Sequence, residues 1–268
     1  MITSHGLTVD HTEHGPAQGR PLVLLAGFLA PATSWRHQVP ALAAAGYRVF
    51  AVDLPGHGTA GPQPDGTGMD ERADALAEFL SAPGLRGVTL IGGSMGGNTI
   101  WAYLSRYSAD RLRSIVIVDQ TPKMLNTPDW PHGYYGYEPG NAETFFANGI
   151  PRTGHGTPVW RRGKRLLRLL QAMGGAPRLP LTAADRALLQ DHARRDWRET
   201  LRDNDIPALF VAGEESELWP CTHAAASAAL MPRGRAAIIA KAGHATNVEQ
   251  PEAFNRGVLS FLTDPGVP

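Results

Sequence analysis

The sequence predicts an α/β fold: a doubly wound, mostly parallel sheet with a helical insertion. Three observations carry that expectation. Strand-like apolar runs alternate with helix-periodic runs, the order that builds a parallel sheet covered by helices on both faces. One strand-like run passes directly into a helical one through the glycine-rich turn Gly92-Gly93-Ser94-Met95-Gly96-Gly97. A long stretch between residues 119 and 206 offers no further strand-like run. A core is therefore expected over 1–119 and 206–268, with a helical segment inserted over 120–205.

Strands are expected at 6–14, 21–26, 47–52, 87–92, 113–118, 206–212 and 235–240. Branched apolar runs such as Leu22-Val23-Leu24-Leu25, Val88-Thr89-Leu90-Ile91 and Ile115-Val116-Ile117-Val118 suit strands buried on both faces. Helices are expected at 34–45, 69–81, 95–107, 222–230 and 251–263, the last opening at Pro251, which a first turn accepts. The insertion holds eight prolines, nine glycines and eight of the chain's 20 aromatics, too much for a plain loop. Helix-like pieces remain at 142–148, 158–173 and 182–203. In the second of these, Trp160, Gly163, Leu166, Leu167, Leu170 and Met173 share one face, and Arg161, Arg162, Lys164, Arg165 and Arg168 crowd the others. Such cations read first as a solvated face. Attraction of an anionic substrate group or an acidic carrier protein is the second reading.

Composition narrows the function classes. Acids and bases balance at 25 each, which suggests neither a nucleic-acid nor an anionic-membrane partner. Cys221 stands alone and cannot form an internal disulfide. The stretch from Met1 to Gln18 lacks the apolar core of a leader, and no apolar run approaches the ~18 residues of a membrane helix, so a cytoplasmic protein is expected. No histidine and carboxylate cluster has metal-ligand spacing, and the turn at 92–97 lacks the lysine of a phosphate-binding loop. The expectation is a small-molecule substrate, with no metal and no cofactor.

Ser94 is the first candidate for chemistry. A serine on a tight turn between strand and helix is pushed clear of the backbone at the top of the sheet. The amide of Met95, at a helix start, points where an oxyanion would form. Glycines at 92 and 96 let strand and helix approach, and the bland alternative is a glycine-rich turn with a structural serine. His244, in Ala242-Gly243-His244-Ala245-Thr246, follows the last strand, where a loop can carry an imidazole over the turn. His57, in Pro55-Gly56-His57-Gly58, is the rival.

Together with Ala26-Gly27-Phe28 after the strand at 21–26 and Asp53-Leu54-Pro55-Gly56-His57-Gly58 after the strand at 47–52, these anchors resemble the α/β-hydrolase family over roughly residues 20 to 262. The resemblance implies a serine, histidine and acid triad and an oxyanion hole of two backbone amides, here those of Phe28 and Met95. It implies His244 as the base and a structural role for His57. It also makes the insertion a cap over the site, whose aromatics include Trp130, Tyr134 and Trp160 as candidate pocket residues.

The acid departs from the family's commonest pattern. That pattern places an Asp three residues after a glycine, with a proline four further on. Here Gly213-Glu214-Glu215-Ser216-Glu217-Leu218-Trp219-Pro220 keeps the glycine and proline, but Ser216 stands in the acid's place. Asp119, at the end of an earlier strand, is the leading alternative, an arrangement similar to that of haloalkane dehalogenases and a zearalenone-hydrolysing lactonase. Glu215 and Glu217 are the others. The expected triad is Ser94, His244 and Asp119. The expected function is cleavage of a carboxylic ester or lactone through an acyl-Ser94 intermediate. A C–C bond hydrolase, a cofactor-free oxygenase or perhydrolase, and a non-catalytic ligand-binding protein on the same scaffold are the alternatives.

Overall fold

The computed structural model describes residues 7–172 and 180–267. The strand expected from residue 6 and the helix expected to end at Met173 each reach one residue outside them. Among the described residues, seven strands form one sheet: β1 (Asp10–His14), β2 (Pro21–Leu25), β3 (Arg48–Asp53), β4 (Val88–Gly93), β5 (Leu112–Val118), β6 (Ala208–Gly213) and β7 (Gly234–Ile239). Their order is β1-β3-β2-β4-β5-β6-β7, with β1 antiparallel to β3 and every other pairing parallel.

Each inner strand is apolar on both faces because helices cover both. On β4 and β5, Leu90, Ile115 and Ile117 join one core while Ile91, Val116 and Val118 join the other, as the period of two dictates. Helices α2 (Met69–Leu80), α3 (Met95–Arg106) and α7 (His223–Ala228) supply Leu76, Ile100 and Ala224 to the first core. Helices α1 (Val39–Ala44) and α9 (Pro251–Leu262) supply Leu42 and Phe254 to the second. The helix expected over 34–45 is split into a 3-10 turn at Ala32–Trp35 and the short α1. Pro40 explains the break: it has no N–H to continue a ladder and sits in the first turn of α1.

Between β5 and β6 lie α4 (Lys164–Ala172), α5 (Ala183–Arg194) and α6 (Arg198–Arg202), with no sheet strand among the described residues there. The piece expected to be helical at 142–148 forms turns instead, after a 3-10 turn at Pro139–Asn141. The remaining short helix, α8 (Thr246–Glu249), follows β7 and precedes α9. No helix among the described residues is long and apolar enough to cross a membrane.

The strand order reverses between β2 and β4, where the chain leaves β3, passes over β2 and re-enters the sheet beside it. In an open α/β sheet such a switch leaves a crevice at the strands' carboxyl ends. The loops that flank it here are those after β2 and after β4.

Candidate active site

Ser94 leaves β4 at φ 51° and ψ −123° and is followed at once by α3. Its amide donates to the Val118 carbonyl at 2.9 Å, so the β4–β5 ladder holds the turn up to its last residue. Glycines make the turn possible. A Cβ on Gly96 would lie 2.3 Å from the Leu25 carbonyl oxygen, and one on Gly92 would lie 2.5 Å from that of Gly96. Gly93, by contrast, has room: a Cβ there would touch only the Trp35 ring, at 3.5 Å. As the first residue of α3, Met95 has an N–H with no acceptor within the helix.

Asp119 ends β5 in the left-handed region, φ 47°, with its amide donating to the Val211 carbonyl at 2.7 Å. Its side chain is fully buried and well provided with donors. Oδ1 accepts from the Gly213 amide at 2.8 Å. Oδ2 accepts from the Ser216 hydroxyl at 2.6 Å and pairs with His244 Nδ1 at 2.8 Å. His223 Nε2 stands 3.5 Å from Oδ1. Burial alone would raise the acid's pKa, but the two imidazoles outweigh it and hold the carboxyl at about 2. Burial likewise works against charge on His244, and the Asp119 carboxylate overrides it, with help from Glu217 and Glu249, to keep its pKa above the ordinary imidazole value. Because an ionised carboxylate only accepts, His244 carries its proton on Nδ1 and leaves Nε2 free. Trp219 packs edge-on against the imidazole, ring centroids 5.3 Å apart.

Ser94 and His244 line one cavity of about 280 Å³, together with Gly27, Phe28, Trp35 and Leu218 from the core. Ile150, Leu169 and Ala172 from the insertion line it as well. Leu29, next to Phe28, is a third non-glycine at positive φ, 54°. Strain of this kind persists where surrounding structure enforces it, often at functional sites.

His57 does not line this cavity but is buried against Arg72, whose guanidinium is 3.3 Å from Nδ1. Burial and that positive charge hold its pKa well below the ordinary value. Glu215 is taken up by Thr157 and Arg165. Glu217 accepts from the backbone N–H of His244 at 2.9 Å.

The three aromatics expected in the pocket do not line this cavity. Trp130 is buried, its indole N–H shared between the Thr121 hydroxyl and the Lys123 carbonyl, with the Arg198 guanidinium over its ring. Tyr134 is buried in a cluster with Phe145, Phe146 and Trp219, its hydroxyl donating to the Pro151 carbonyl at 2.5 Å. Trp160 faces outward, 82% exposed. Trp130 and Tyr134 satisfy their packing and polar atoms away from the cavity, and smaller aliphatic side chains of the insertion line it instead. No sequence signal singled out Ile150, Leu169, Ala172 or Leu218, since each belongs to an ordinary apolar pattern.

The second overturned expectation is the solvated basic face. Of the cations at 161–168, Arg162, Arg165 and Arg168 turn inward onto Glu217, Glu249, Glu215 and Glu252, while Leu167 and Leu170 face solvent. The core carboxylates set that orientation. Glu249 is fully buried and needs a cation more than two leucines need cover.

A fold with this sheet order, a serine at a strained strand-to-helix turn and an imidazole–carboxylate pair across the crevice defines a class. The chain belongs to the alpha/beta hydrolase fold family, whose family model matches residues 20–251. It is 29% identical to a non-heme chloroperoxidase of Kitasatospora aureofaciens, over 97% of this chain and 98% of that one. It is 24% identical to a bifunctional esterase/perhydrolase of Acinetobacter calcoaceticus, over 98% of both chains. Among solved structures, a bromoperoxidase from Bacillus anthracis superposes with a TM-score of 0.79 at 28% identity, covering 98% of both chains. Among the described residues, no group of three or more His, Cys, Asp or Glu side chains is arranged to hold a metal ion.

Proposed function

We propose that this chain is a serine hydrolase that cleaves carboxylic esters or lactones of small, largely apolar acids through an acyl-Ser94 intermediate. The observation that carries the reading is the elbow serine at φ 51° sharing one cavity with an imidazole whose far nitrogen is held by a buried carboxylate. In this mechanism His244 Nε2 takes the Ser94 proton as Oγ attacks the acyl carbon, and returns it to the leaving alkoxide. Asp119 stays ionised and stabilises the imidazolium, as its pKa of about 2 favours. The amides of Met95 and Phe28 serve the oxyanion. A cavity of about 280 Å³ sits at the small end of ligand pockets and suits a short acyl group. The insertion over 120–205 acts as the cap, with Leu169 and Ala172 above the acyl group.

A second acceptor has its own support. Similarity over nearly the whole chain to proteins named as a chloroperoxidase and as an esterase/perhydrolase suits an acyl-enzyme open to hydrogen peroxide as well as water. Peroxide attack on the acyl carbon would expel Ser94 and yield a peracid. One assay covers both readings: release of an aryl leaving group from short-chain esters, with and without peroxide, alongside peracid detection. Wild type should hydrolyse the ester and be labelled by a fluorophosphonate, and Ser94→Ala should do neither. Turnover that survives Ser94→Ala would end the acyl-enzyme proposal. Peracid formed only with Ser94 present would support the second acceptor.

A further inference from the structure

Arg162 is among the most enclosed charges in the molecule and plays no part in the chemistry above. Its side chain is 8% exposed although it lies beside an outward-facing turn of the insertion. One guanidinium nitrogen is 3.2 Å from Glu249 Oε1, the other is 3.1 Å from Glu217 Oε1, and Nε donates to the Thr157 carbonyl at 2.9 Å. Those two carboxylates bracket a single peptide of the core. A Cβ on Gly243 would lie 2.6 Å from Glu249 Oε1 and 2.8 Å from Glu217 Oε2. Glu217 Oε2 also accepts the His244 amide at 2.9 Å. Two residues beyond Arg162 begins α4, which carries Leu169 and Ala172 into the cavity lining. Arg165 reinforces the junction through Glu215 at 2.8 Å and Glu249 at 3.5 Å.

We infer that Arg162 is a positioning residue that fixes the Gly243–His244 peptide through Glu217 and Glu249, and so ties the placement of the imidazole to the seating of α4 over the cavity. The inference rests on the reading of His244 as the base. Only an arginine suits the place. Its planar fork reaches two carboxylates at once, whereas a lysine ammonium is a point charge that serves one. Without the guanidinium, the two carboxylates would face each other at the Gly243 peptide, one of them fully buried. Like charges in that setting repel or take up a proton, and the peptide between them would shift.

The groups around His244 are Asp119 from the core with His223 on that carboxylate's other oxygen, His192 from α5 of the insertion, Glu217 and Glu249 beside its peptide, and the Arg162 and Arg165 guanidiniums behind those. This charge order gives a test that a merely structural role would not pass. Removing Arg162 takes the cation from Glu217 and leaves Glu249 only Arg165, at 3.5 Å, so in Arg162→Met the acid limb of the kcat/KM profile should move to higher pH. Glu217→Gln removes a negative charge, so its limb should move to lower pH. Both should lower kcat and the rate of fluorophosphonate labelling of Ser94 by about tenfold or more, with KM changed less, because the imidazole is displaced in each. Arg162→Lys should return the limb towards wild type and restore only part of kcat. The double variant should lose little more than Arg162→Met alone, as coupled residues do. Should Arg162→Met fold poorly, Glu217→Gln and Arg162→Lys carry the test. Wild-type labelling rates and an unmoved limb in the folded variants, whatever their melting temperatures, would overturn the inference. Loss of turnover in these variants while Ser94→Ala stays active would instead count against the acyl-enzyme reading.

Discussion

The carboxyl edge of the sheet and the insertion above it are held by different forces. At the edge, positions are set by backbone. Ser94 and Asp119 each make a ladder-like amide bond at the moment they leave their strands. Among the described residues, the four non-glycines at positive φ are Leu29, Ser94, Asp119 and Lys241, and all follow strands at this edge. The insertion is held by side chains: an aromatic cluster around Tyr134 and Phe146, and arginine–carboxylate pairs at the root of α4. The difference teaches where tolerance lies. A rigid sheet can enforce backbone strain at Ser94 and Asp119, whereas side-chain fastenings can be exchanged without disturbing the strands beneath.

The sharpest way to break this contrast is at Asp119. Asp119→Asn should keep the fold and cut kcat/KM by up to about 10⁴-fold, since the amide no longer holds the required imidazole tautomer. Glu215→Gln should be nearly neutral beside it, which steady-state kinetics and circular dichroism on both variants will check. The direction of pH dependence follows from the same pair. His244 must be neutral to act as base, and Asp119 raises its pKa, so wild-type activity should rise with pH along a limb above the ordinary imidazole value. In Asp119→Asn the residual activity should show that limb at lower pH, because the charge that raised it is gone. An unmoved limb would mean that another group controls the profile.

Within the insertion, Trp130→Ala should destabilise by about 3–5 kcal/mol, as loss of a buried indole does. Trp160→Ser, at 82% exposure, should change stability by no more than about 0.5 kcal/mol and leave ester turnover intact. Equal melting-temperature losses for the two would contradict the packing described for the insertion. A selective effect is expected at the edge itself. Gly93→Ala puts a methyl against Trp35 at ordinary contact distance, so the protein should fold and lose activity chiefly on the bulkier acyl esters. A uniform loss across chain lengths would show that Gly93 serves the turn rather than the pocket.

Sequence patterns expose the edge better than the insertion for the same physical reason. Strands β2 to β6 announce themselves through local apolar runs, and the turns at Ser94 and Asp119 inherit their positions from those runs. The pairing of Asp119 with His244 could be argued because Ser216 offers no charge where one is needed. In the insertion, helical spacing around residues 160–172 shows which side chains share a face, yet it cannot say which face meets the core. Glu217 and Glu249 decide that, and they lie 55 and 87 residues from Arg162. The same distance in sequence hides Ile150, Leu169 and Ala172 as cavity residues.

Ser216 has a consequence for descent. Its hydroxyl donates at 2.6 Å to the carboxylate that pairs with His244. The ends of β5 and β6 thus converge on a single point beside the imidazole, and either can deliver an acid there. Ser216→Asp would briefly set two carboxylates at that point, sharing a proton as crowded acids do. Loss of Asp119 would then leave the acid on the later strand. A lineage can move this group between strands in two substitutions, and at no step is the histidine left without a partner.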